Sequence, residues 1–272
     1  MKYIKKNKLK DLSLIAKELR KISLKINSIS KTSHLGGVLS MSDIITILFF
    51  KFLNFDKSNK FSKGRDRFIL SKGHACLGIY VILYLKKIIS KKTLMSYGSN
   101  SSILMTHISH KVPGIEFSTG SLGHGLPFAT GKAYFSKINN KKWQTFCIIS
   151  DGELNEGSNW EALLFASHHK LNNLTIIIDY NKIQSFGRTN KIINLEPLLK
   201  KLNSLNLFVI EIDGHNMKEL DKSFKISNIK TTKVIIANTI KGYGVNFLEN
   251  KLEWHYKSLS KKQLDKALQV LK

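Results

Sequence analysis

Cysteine, proline and acidic residues are scarce in this sequence of 272 residues. It contains two Cys and three Pro, and 19 Asp and Glu stand against 44 Lys and Arg. With so few prolines, no Pro-rich linker divides the chain. Cys76 and Cys147 lie far apart and neither belongs to a Cys-x-x-Cys pair, which excludes a zinc motif of that kind. Two isolated thiols are typical of a reduced, intracellular protein.

Long apolar runs are also absent. No segment approaches the roughly 20 apolar residues that a bilayer-spanning helix requires. The first thirty residues are rich in lysine and lack the uninterrupted apolar core of a signal peptide. We therefore expect a cytoplasmic protein with no membrane contact.

The positive charge is large but dispersed. The formal net charge is +25, carried by 40 lysines spread along the chain and by only four arginines. Nucleic-acid binding is one functional interpretation of such a charge, yet no known nucleic-acid motif accompanies it. We expect no nucleic-acid partner, whereas a basic surface favours anionic sugar phosphates by electrostatic steering.

Short apolar runs and helix-length segments alternate through the second half of the chain. The runs at 146–149 and 174–178 flank one helix-length segment, 153–170, and further strands are predicted at 208–212 and 234–238. This alternation predicts an α/β fold, a three-layer α/β/α arrangement with a mostly parallel central sheet. We expect residues 1–272 to form a single domain.

Polar residues lie just past the ends of the first two of these runs. Asp151-Gly152 follows one and Asn181 follows the next. Because the carboxyl ends of neighbouring parallel strands meet at one edge of a sheet, where such folds bind ligands, the two side chains should lie side by side. A carboxylate, a carboxamide oxygen and a backbone carbonyl just past Asn181 are suitable Mg²⁺ ligands. Glu153 would open the crossover helix, so backbone N–H groups near Gly152 would face a diphosphate.

Glycine, serine and histidine concentrate in the segment 98–125, the longest irregular stretch predicted. A long loop of this kind inside a compact domain is usually functional or disordered, and its His and Gly content favours function. It does not match the dinucleotide fingerprint, because Phe128 stands where the third glycine is required, and the P-loop pattern also fails. Imidazoles in loops can donate to sugar hydroxyls, phosphates and developing oxyanions. The histidines in glycine-bearing loops are His34, His74, His107, His110, His124, His215 and His255.

Six segments, taken together and in order, resemble the N-terminal, diphosphate-binding half of transketolase. The similarity extends from about His34 to His255. Two positions depart from the usual family pattern: Leu35 follows the first histidine in place of proline, and Ser150 precedes Asp151 in place of glycine. The six segments are Ser33-His34-Leu35-Gly36-Gly37, Ser71-Lys72-Gly73-His74-Ala75, 113–123, 151–157, Asn181-Lys182-Ile183, and Lys241-Gly242-Tyr243-Gly244-Val245 with Trp254-His255.

The resemblance implies thiamine diphosphate and Mg²⁺ as cofactors and the transfer of a two-carbon ketol unit between sugar phosphates. Mg²⁺ would be held by the side chains of Asp151 and Asn181 and by the carbonyl of Ile183. His34, His74 and His255 would be catalytic, with His107 a weaker candidate. The implied cofactor contacts are His74, Gly120, Ser121, Leu122, Gly152, Glu153, Asn181 and His255.

The resemblance also implies partners. Transketolases carry a pyrimidine-binding domain and a C-terminal domain, for which 272 residues leave no room. The glutamate that activates the cofactor belongs to that pyrimidine-binding domain. We therefore expect a split enzyme whose C-terminal transketolase subunit is a separate chain. Glu156 and Glu161 match positions that join two active sites across a dimer of diphosphate-binding domains, so a hetero-oligomer is expected.

Two other interpretations remain open at this point. The α chain of a 2-oxo acid dehydrogenase would share Asp151 and Asn181, but the set formed by His34, His74 and His255 argues for sugar chemistry. A degenerate, basic binding protein that has lost catalysis is the second alternative. The intact metal-ligand and histidine positions argue against it.

Overall fold

The structure is a computed structural model that describes residues 8–56 and 58–271. Its centre is one five-stranded sheet in the order β1-β2-β3-β5-β4, and all four strand pairings are parallel. The strands are Arg67–Leu70 (β1), Thr145–Ser150 (β2), Leu174–Tyr180 (β3), Phe208–Asp213 (β4) and Lys233–Asn238 (β5). The α-helices are Leu9–Ser30 (α1), Leu35–Ser40 (α2), Ser42–Ile47 (α3), Cys76–Leu85 (α4), Lys91–Met95 (α5), Gly125–Ile138 (α6), Gly157–His168 (α7), Thr189–Ile192 (α8), Leu198–Ser204 (α9), Met217–Lys225 (α10) and Lys261–Val270 (α11).

Helices cover both faces of the sheet. One face packs against α1, α3, α4 and α10, and the other packs against α6, α7 and α9. Successive strand residues point to opposite faces, so Ile148 and Ile149 of β2 belong to different apolar clusters. Burial on both faces explains why β2 and β3 are almost continuously apolar. The predicted three-layer α/β/α fold is confirmed.

A third apolar cluster lies beside the sheet. It joins α1, α2 and α11 to the segment that follows β5, with Val245 and Trp254 among its members. This cluster holds residues 241–255 against α2. Within the two described ranges, no helix combines the length and the apolar character that crossing a membrane requires.

Two predicted local structures differ from the observed ones. The two adjacent glycines of the segment 33–37 predict a turn, but the segment is helical from Leu35 onward, with His34 in the left-handed region (φ 70°) just before the helix. The predicted crossover helix 153–170 is broken: a 3₁₀ turn spans Gly152–Asn155, Glu156 is extended, and α7 then begins at Gly157. The break lets the chain turn tightly at the end of β2 before α7 starts.

A polar segment follows each strand, and all five segments lie at the same edge of the sheet. Ser71-Lys72 follows β1, Asp151 follows β2 and Asn181 follows β3. The segment after β4 carries His215, and the segment after β5 carries Lys241. Because all five strands run parallel, their carboxyl ends form one continuous rim, where ligands bind in open α/β sheets.

Candidate functional site

Asp151 and Asn181 lie at neighbouring strand ends, as the sequence predicts. The β2–β3 register pairs Ser150 with Asp179, which leaves each of the two side chains just beyond the last ladder residues. Both residues are buried, at 1% and 6% exposure. The carboxylate of Asp151 accepts hydrogen bonds from the backbone N–H groups of Gly152 (2.7 Å) and Lys182. These bonds fix the orientation of the carboxylate, and each of its oxygens keeps a lone pair for a cation.

The surroundings of Asp151 disfavour the ionised form of its carboxyl group. Burial, and then the nearby charge of Asp179, raise the pKa of Asp151 to about 6. A divalent cation bound to this carboxylate would relieve both penalties, because it favours the ionised form. The electrostatics of Asp151 therefore fit a metal ligand.

A buried ion pair lies beneath this acid. The Lys72 ammonium contacts the carboxylate of Asp179, and the side chains are 1% and 0% exposed. Ser40 donates to the same carboxylate at 2.6 Å, and Thr239 also donates to it. Burial alone would raise the pKa of Asp179, but the charge of Lys72 holds that pKa below its ordinary value. The pair ties the segment after β1 and helix α2 to the middle of the sheet.

Lys241 links the predicted metal site to the predicted catalytic histidines. Its ammonium donates to the carbonyls of Ile183 (2.9 Å) and Gln184 (3.1 Å) and to Nδ1 of His255 (3.0 Å). Lys241 is 3% exposed, and burial lowers its pKa to about 8. The Ile183 carbonyl, predicted as a metal ligand, thus already accepts from a cation. A carbonyl oxygen has two lone pairs, so one remains available.

Four histidines converge beside Lys241. The ring centroid of His34 lies 5.2 Å from that of His74, 5.6 Å from that of His107 and 4.9 Å from that of His255. The centroids of His74 and His255 are 5.7 Å apart. The structure therefore brings together the three predicted catalytic histidines and the weaker candidate His107.

Backbone and side-chain contacts hold His34 and His255 in place. The N–H of His34 donates to the carbonyl of His255 at 2.8 Å, which joins the two segments directly. An ammonium can only donate, so Nδ1 of His255 must be the acceptor toward Lys241. The neutral ring of His255 therefore carries its proton on Nε2 and can donate that proton to a ligand.

The histidine cluster is neutral at physiological pH. Burial, His107 and Lys241 lower the pKa of His34 to about 4, and burial with Lys241 and His34 lowers the pKa of His255 to about 3. Burial and the charge of Lys72 place the pKa of His74 well below its ordinary value, and burial lowers the pKa of His107. Neutral imidazoles can both donate and accept hydrogen bonds, which suits the recognition of hydroxyl groups.

The predicted cofactor loop 120–122 borders the cluster. A Cβ on Gly120 would lie 3.5 Å from the His107 ring, so Gly120 lies directly beside that imidazole. Ser121 and Leu122 continue from Gly120 to Gly123, which has a left-handed φ of 86°. Because Gly123 donates to Glu153 (3.4 Å) and accepts from Ser158 (2.8 Å), the loop is tied to the turn after β2.

Glu153 has a structural task that the sequence does not reveal. Its carboxylate is fully buried and accepts from Ser71 Oγ (2.6 Å) and from the backbone N–H of Ser150 (2.9 Å) as well as Gly123. The side chain therefore joins three loops, and these contacts occupy its oxygens. Only the backbone of Glu153 is available for the predicted cofactor contact.

Gln184 provides an unsatisfied donor at the site. Its Nε2 is buried and has no hydrogen-bond partner among the described residues. A Cβ on Gly152 would lie 3.2 Å from Gln184 Cγ, so the two residues face each other closely. A buried amide without a partner is costly, and an anionic ligand near Gly152 would supply the acceptor. Within the described residues, the Lys241 ammonium donates only to neutral acceptors, so it has no anionic partner. The Lys241 ammonium and the Gln184 amide are therefore suitable donors to a diphosphate.

Three buried residues of the site have no role in the sequence-based predictions. Asp179 is the single charged residue of the fully buried strand β3, and such a residue signals a buried ion pair. Lys72 follows β1 and Lys241 follows β5, and each lies inside a segment that resembles transketolase. Nothing in the sequence alone pairs these three side chains.

Similarity to known proteins places this chain in a family. Residues 12–271 match the family described as "Transketolase, thiamine diphosphate binding domain". An apulose-4-phosphate transketolase subunit of Actinobacillus succinogenes is 39% identical over 265 residues, which cover 96% of each chain. The 6-deoxy-6-sulfo-D-fructose transketolase subunit SqwG of a Clostridium species is 34% identical over 264 residues, again 96% of each chain.

Longer transketolases match over part of their length. Human transketolase is 33% identical over 265 residues, which are 97% of this chain and 42% of the human protein. The crystal structure of transketolase from Campylobacter jejuni superposes with a TM-score of 0.92 at 28% identity, covering 97% of this chain and 43% of the other. The chain spans about two fifths of these longer proteins. It belongs to the transketolase family, as a thiamine diphosphate binding domain of the kind that forms one subunit of split transketolases.

Proposed function

We propose that this chain is the N-terminal subunit of a split transketolase that moves a two-carbon ketol unit between sugar phosphates with thiamine diphosphate and Mg²⁺. One observation carries the proposal: Lys241 donates both to the carbonyl of Ile183, which belongs to the predicted metal-ligand set with Asp151 and Asn181, and to His255 in the cluster of four neutral histidines. The metal-ligand set suits a diphosphate bound to a metal ion, and the histidine cluster suits a polyhydroxylated substrate. Relatives that match over nearly their full length carry transketolase names, which favours this function over a 2-oxo acid dehydrogenase.

Mg²⁺ would be held by Asp151, Asn181 and the Ile183 carbonyl. Oxygen ligands of this kind suit Mg²⁺, which usually retains water and substrate phosphate oxygens as further ligands. The Lys241 ammonium would be a neighbour of that cation, and a diphosphate would offset the repulsion between them. Gln184 Nε2 and the backbone N–H groups around Gly152 would bind the diphosphate oxygens.

The loop 120–122 and the histidines would surround the reactive end of the cofactor. Thiamine diphosphate supplies, when bound, the carbon nucleophile and the electron sink for two-carbon transfer. His255 would donate from Nε2 to a substrate oxygen, because Lys241 occupies Nδ1. His34 and His74 would bind the remaining hydroxyls, and their low pKa values keep them neutral beside two ammonium groups.

Two protein partners follow from this proposal. A C-terminal transketolase subunit would contribute the pyrimidine-binding domain and close the site. A second copy of the diphosphate-binding domain would contact the exposed Glu156 and Glu161, next to the exposed Leu164 and Phe165 of α7. We place the complex in the cytoplasm, where the free thiols of Cys76 and Cys147 would remain reduced.

The split arrangement predicts that activity depends on the partner. We expect the purified chain, given Mg²⁺, thiamine diphosphate, a ketose phosphate and an aldose phosphate, to transfer no ketol unit by itself. Adding a companion chain with the pyrimidine-binding half should start the transfer, measured as consumption of the aldose phosphate. Full activity from this chain alone would refute the split-enzyme assignment. Decarboxylation of a 2-oxo acid by the same complex would support the dehydrogenase instead.

A further inference from the structure

A buried chain of polar side chains lies outside the proposed site. Arg20 of α1 forms a two-pronged ion pair with Asp43 of α3, in which Nη1 lies 3.1 Å from Oδ1 and Nη2 contacts Oδ2. The two side chains are 6% and 7% exposed. Burial alone would raise the pKa of Asp43, but Arg20 and a hydrogen bond from His215 hold that pKa below its ordinary value. Asp43 is therefore a fixed anion next to His215.

His215 connects this anion to the segment after β5. Its Nδ1 lies 2.9 Å from the Asp43 carboxylate, and its Nε2 accepts from the backbone N–H of Ile240 at 2.9 Å. A carboxylate accepts and an amide N–H donates, so the ring is neutral with its proton on Nδ1. The ring also stacks on Tyr243, with centroids 3.5 Å apart and an interplanar angle of 14°. His215 thus holds the segment 240–243 at both ends.

Lys241 lies within the segment that His215 holds. It follows Ile240 directly, and its backbone carbonyl accepts from the N–H of Asn250 at 2.9 Å. Its side-chain stem passes over Gly36, where a Cβ would lie 2.9 Å from Lys241 Cγ. The stem therefore has little freedom, and the direction of its ammonium depends on where the backbone at 240 and 241 is held.

We propose that His215 is a positioning residue, which orients Lys241 through the Ile240 N–H and so aligns His255 and the Ile183 carbonyl. The inference rests on the proposed function, because Lys241 links the proposed metal-ligand set to the histidine cluster. It goes beyond that function by assigning a task to the Arg20–Asp43–His215 chain, none of whose members contacts the predicted ligands within the described residues.

Three substitutions separate the two hydrogen bonds of the ring. Asparagine places its amide nitrogen about where Nδ1 lies, so His215→Asn keeps the bond to Asp43 and loses the bond to Ile240. Glutamine places its amide oxygen about where Nε2 lies, so His215→Gln keeps the bond to Ile240. His215→Phe keeps only the stacking on Tyr243. A purely structural role predicts that the Asn and Gln variants behave alike.

The test measures the accessibility of Lys241 without cofactor. The full chain is treated with an amine-acetylating reagent, and the labelling rate of each lysine is followed by mass spectrometry. We expect Lys241 to label about tenfold faster in the Asn and Phe variants, the factor that one lost hydrogen bond typically produces, and within about twofold of wild type in the Gln variant. Lys72, which is 1% exposed and has different partners, is the internal control and should stay protected throughout.

Cofactor binding provides the second readout. By calorimetry, the Kd for thiamine diphosphate in Mg²⁺ should rise about tenfold in the Asn and Phe variants and stay within about twofold in the Gln variant. Equal labelling of Lys241 in the Asn and Gln variants, or parallel labelling of Lys72, would overturn the positioning role. Absence of thiamine diphosphate binding by the wild-type chain would instead count against the proposed function, because the labelling experiment needs no cofactor.

Discussion

Asp151→Ala is expected to abolish Mg²⁺-dependent retention of thiamine diphosphate. Loss of residues that merely support a metal ligand typically weakens metal affinity 10–100-fold, so loss of the ligand itself should cost about 100-fold or more. The Asp151 carboxylate is the one anionic side chain in the proposed metal-ligand set, and two backbone N–H groups hold it in place. The measurement is a calorimetric titration of the chain with thiamine diphosphate, with and without Mg²⁺.

Asp265→Ala is the matched control for this variant. Asp265 is an exposed carboxylate on α11, a helix that supplies no residue of the proposed site, and its removal changes the net charge by the same amount. We expect the control to bind the cofactor as the wild type does. If Asp151→Ala retained wild-type affinity while remaining folded, the metal site would be misassigned.

Lys72→Met is expected to give the largest loss of stability. It leaves the fully buried Asp179 carboxylate without its cationic partner, although Ser40 and Thr239 still donate to it. Removing one partner of a buried ion pair typically costs about 3–5 kcal/mol. Because Lys72 holds the pKa of Asp179 low, the stabilisation is present above the ordinary pKa of aspartate and is lost as pH falls through the lower folded value. Urea unfolding at neutral pH is therefore the appropriate measurement.

A double variant and a surface pair test the cause of this loss. Asp179→Asn removes the uncompensated charge but keeps an acceptor, so we expect Lys72→Met combined with Asp179→Asn to recover most of the lost stability. The exposed pair of Lys257 and Glu253 should contribute about 1 kcal/mol or less when broken. The buried ion pair would not be the origin of the lost stability if Lys72→Met were no more destabilising than that surface change, or if the double variant recovered none of the loss.

The central part of the fold follows from the sequence because its signals are local. The apolar runs of β2 and β3 end at Asp151 and Asn181, and parallel pairing then requires those two residues to be neighbours. Apolar residues recur at helical spacing near the start of the chain, which predicts a helix over 8–30, and α1 spans Leu9–Ser30. Strand ends and regular periodicity are properties that a single chain segment displays by itself.

Other parts of the site depend on distant contacts. Gly36 and Gly37 have low helix propensity and suggest a turn, yet α2 forms because Leu35 and Leu39 pack into the cluster that contains Trp254. Gly36 also gives Lys241 the room that a side chain would fill. Asp179 binds Lys72 across 107 residues, and no local pattern connects them. Tertiary packing therefore decides these features.

The most direct test of the metal site is an anomalous diffraction measurement on crystals of this chain with thiamine diphosphate and Mn²⁺ in place of Mg²⁺. We expect a single strong manganese peak within bonding distance of the Asp151 carboxylate, the Asn181 amide oxygen and the Ile183 carbonyl. Cofactor density without manganese there, or a peak at another place on the chain, would contradict it.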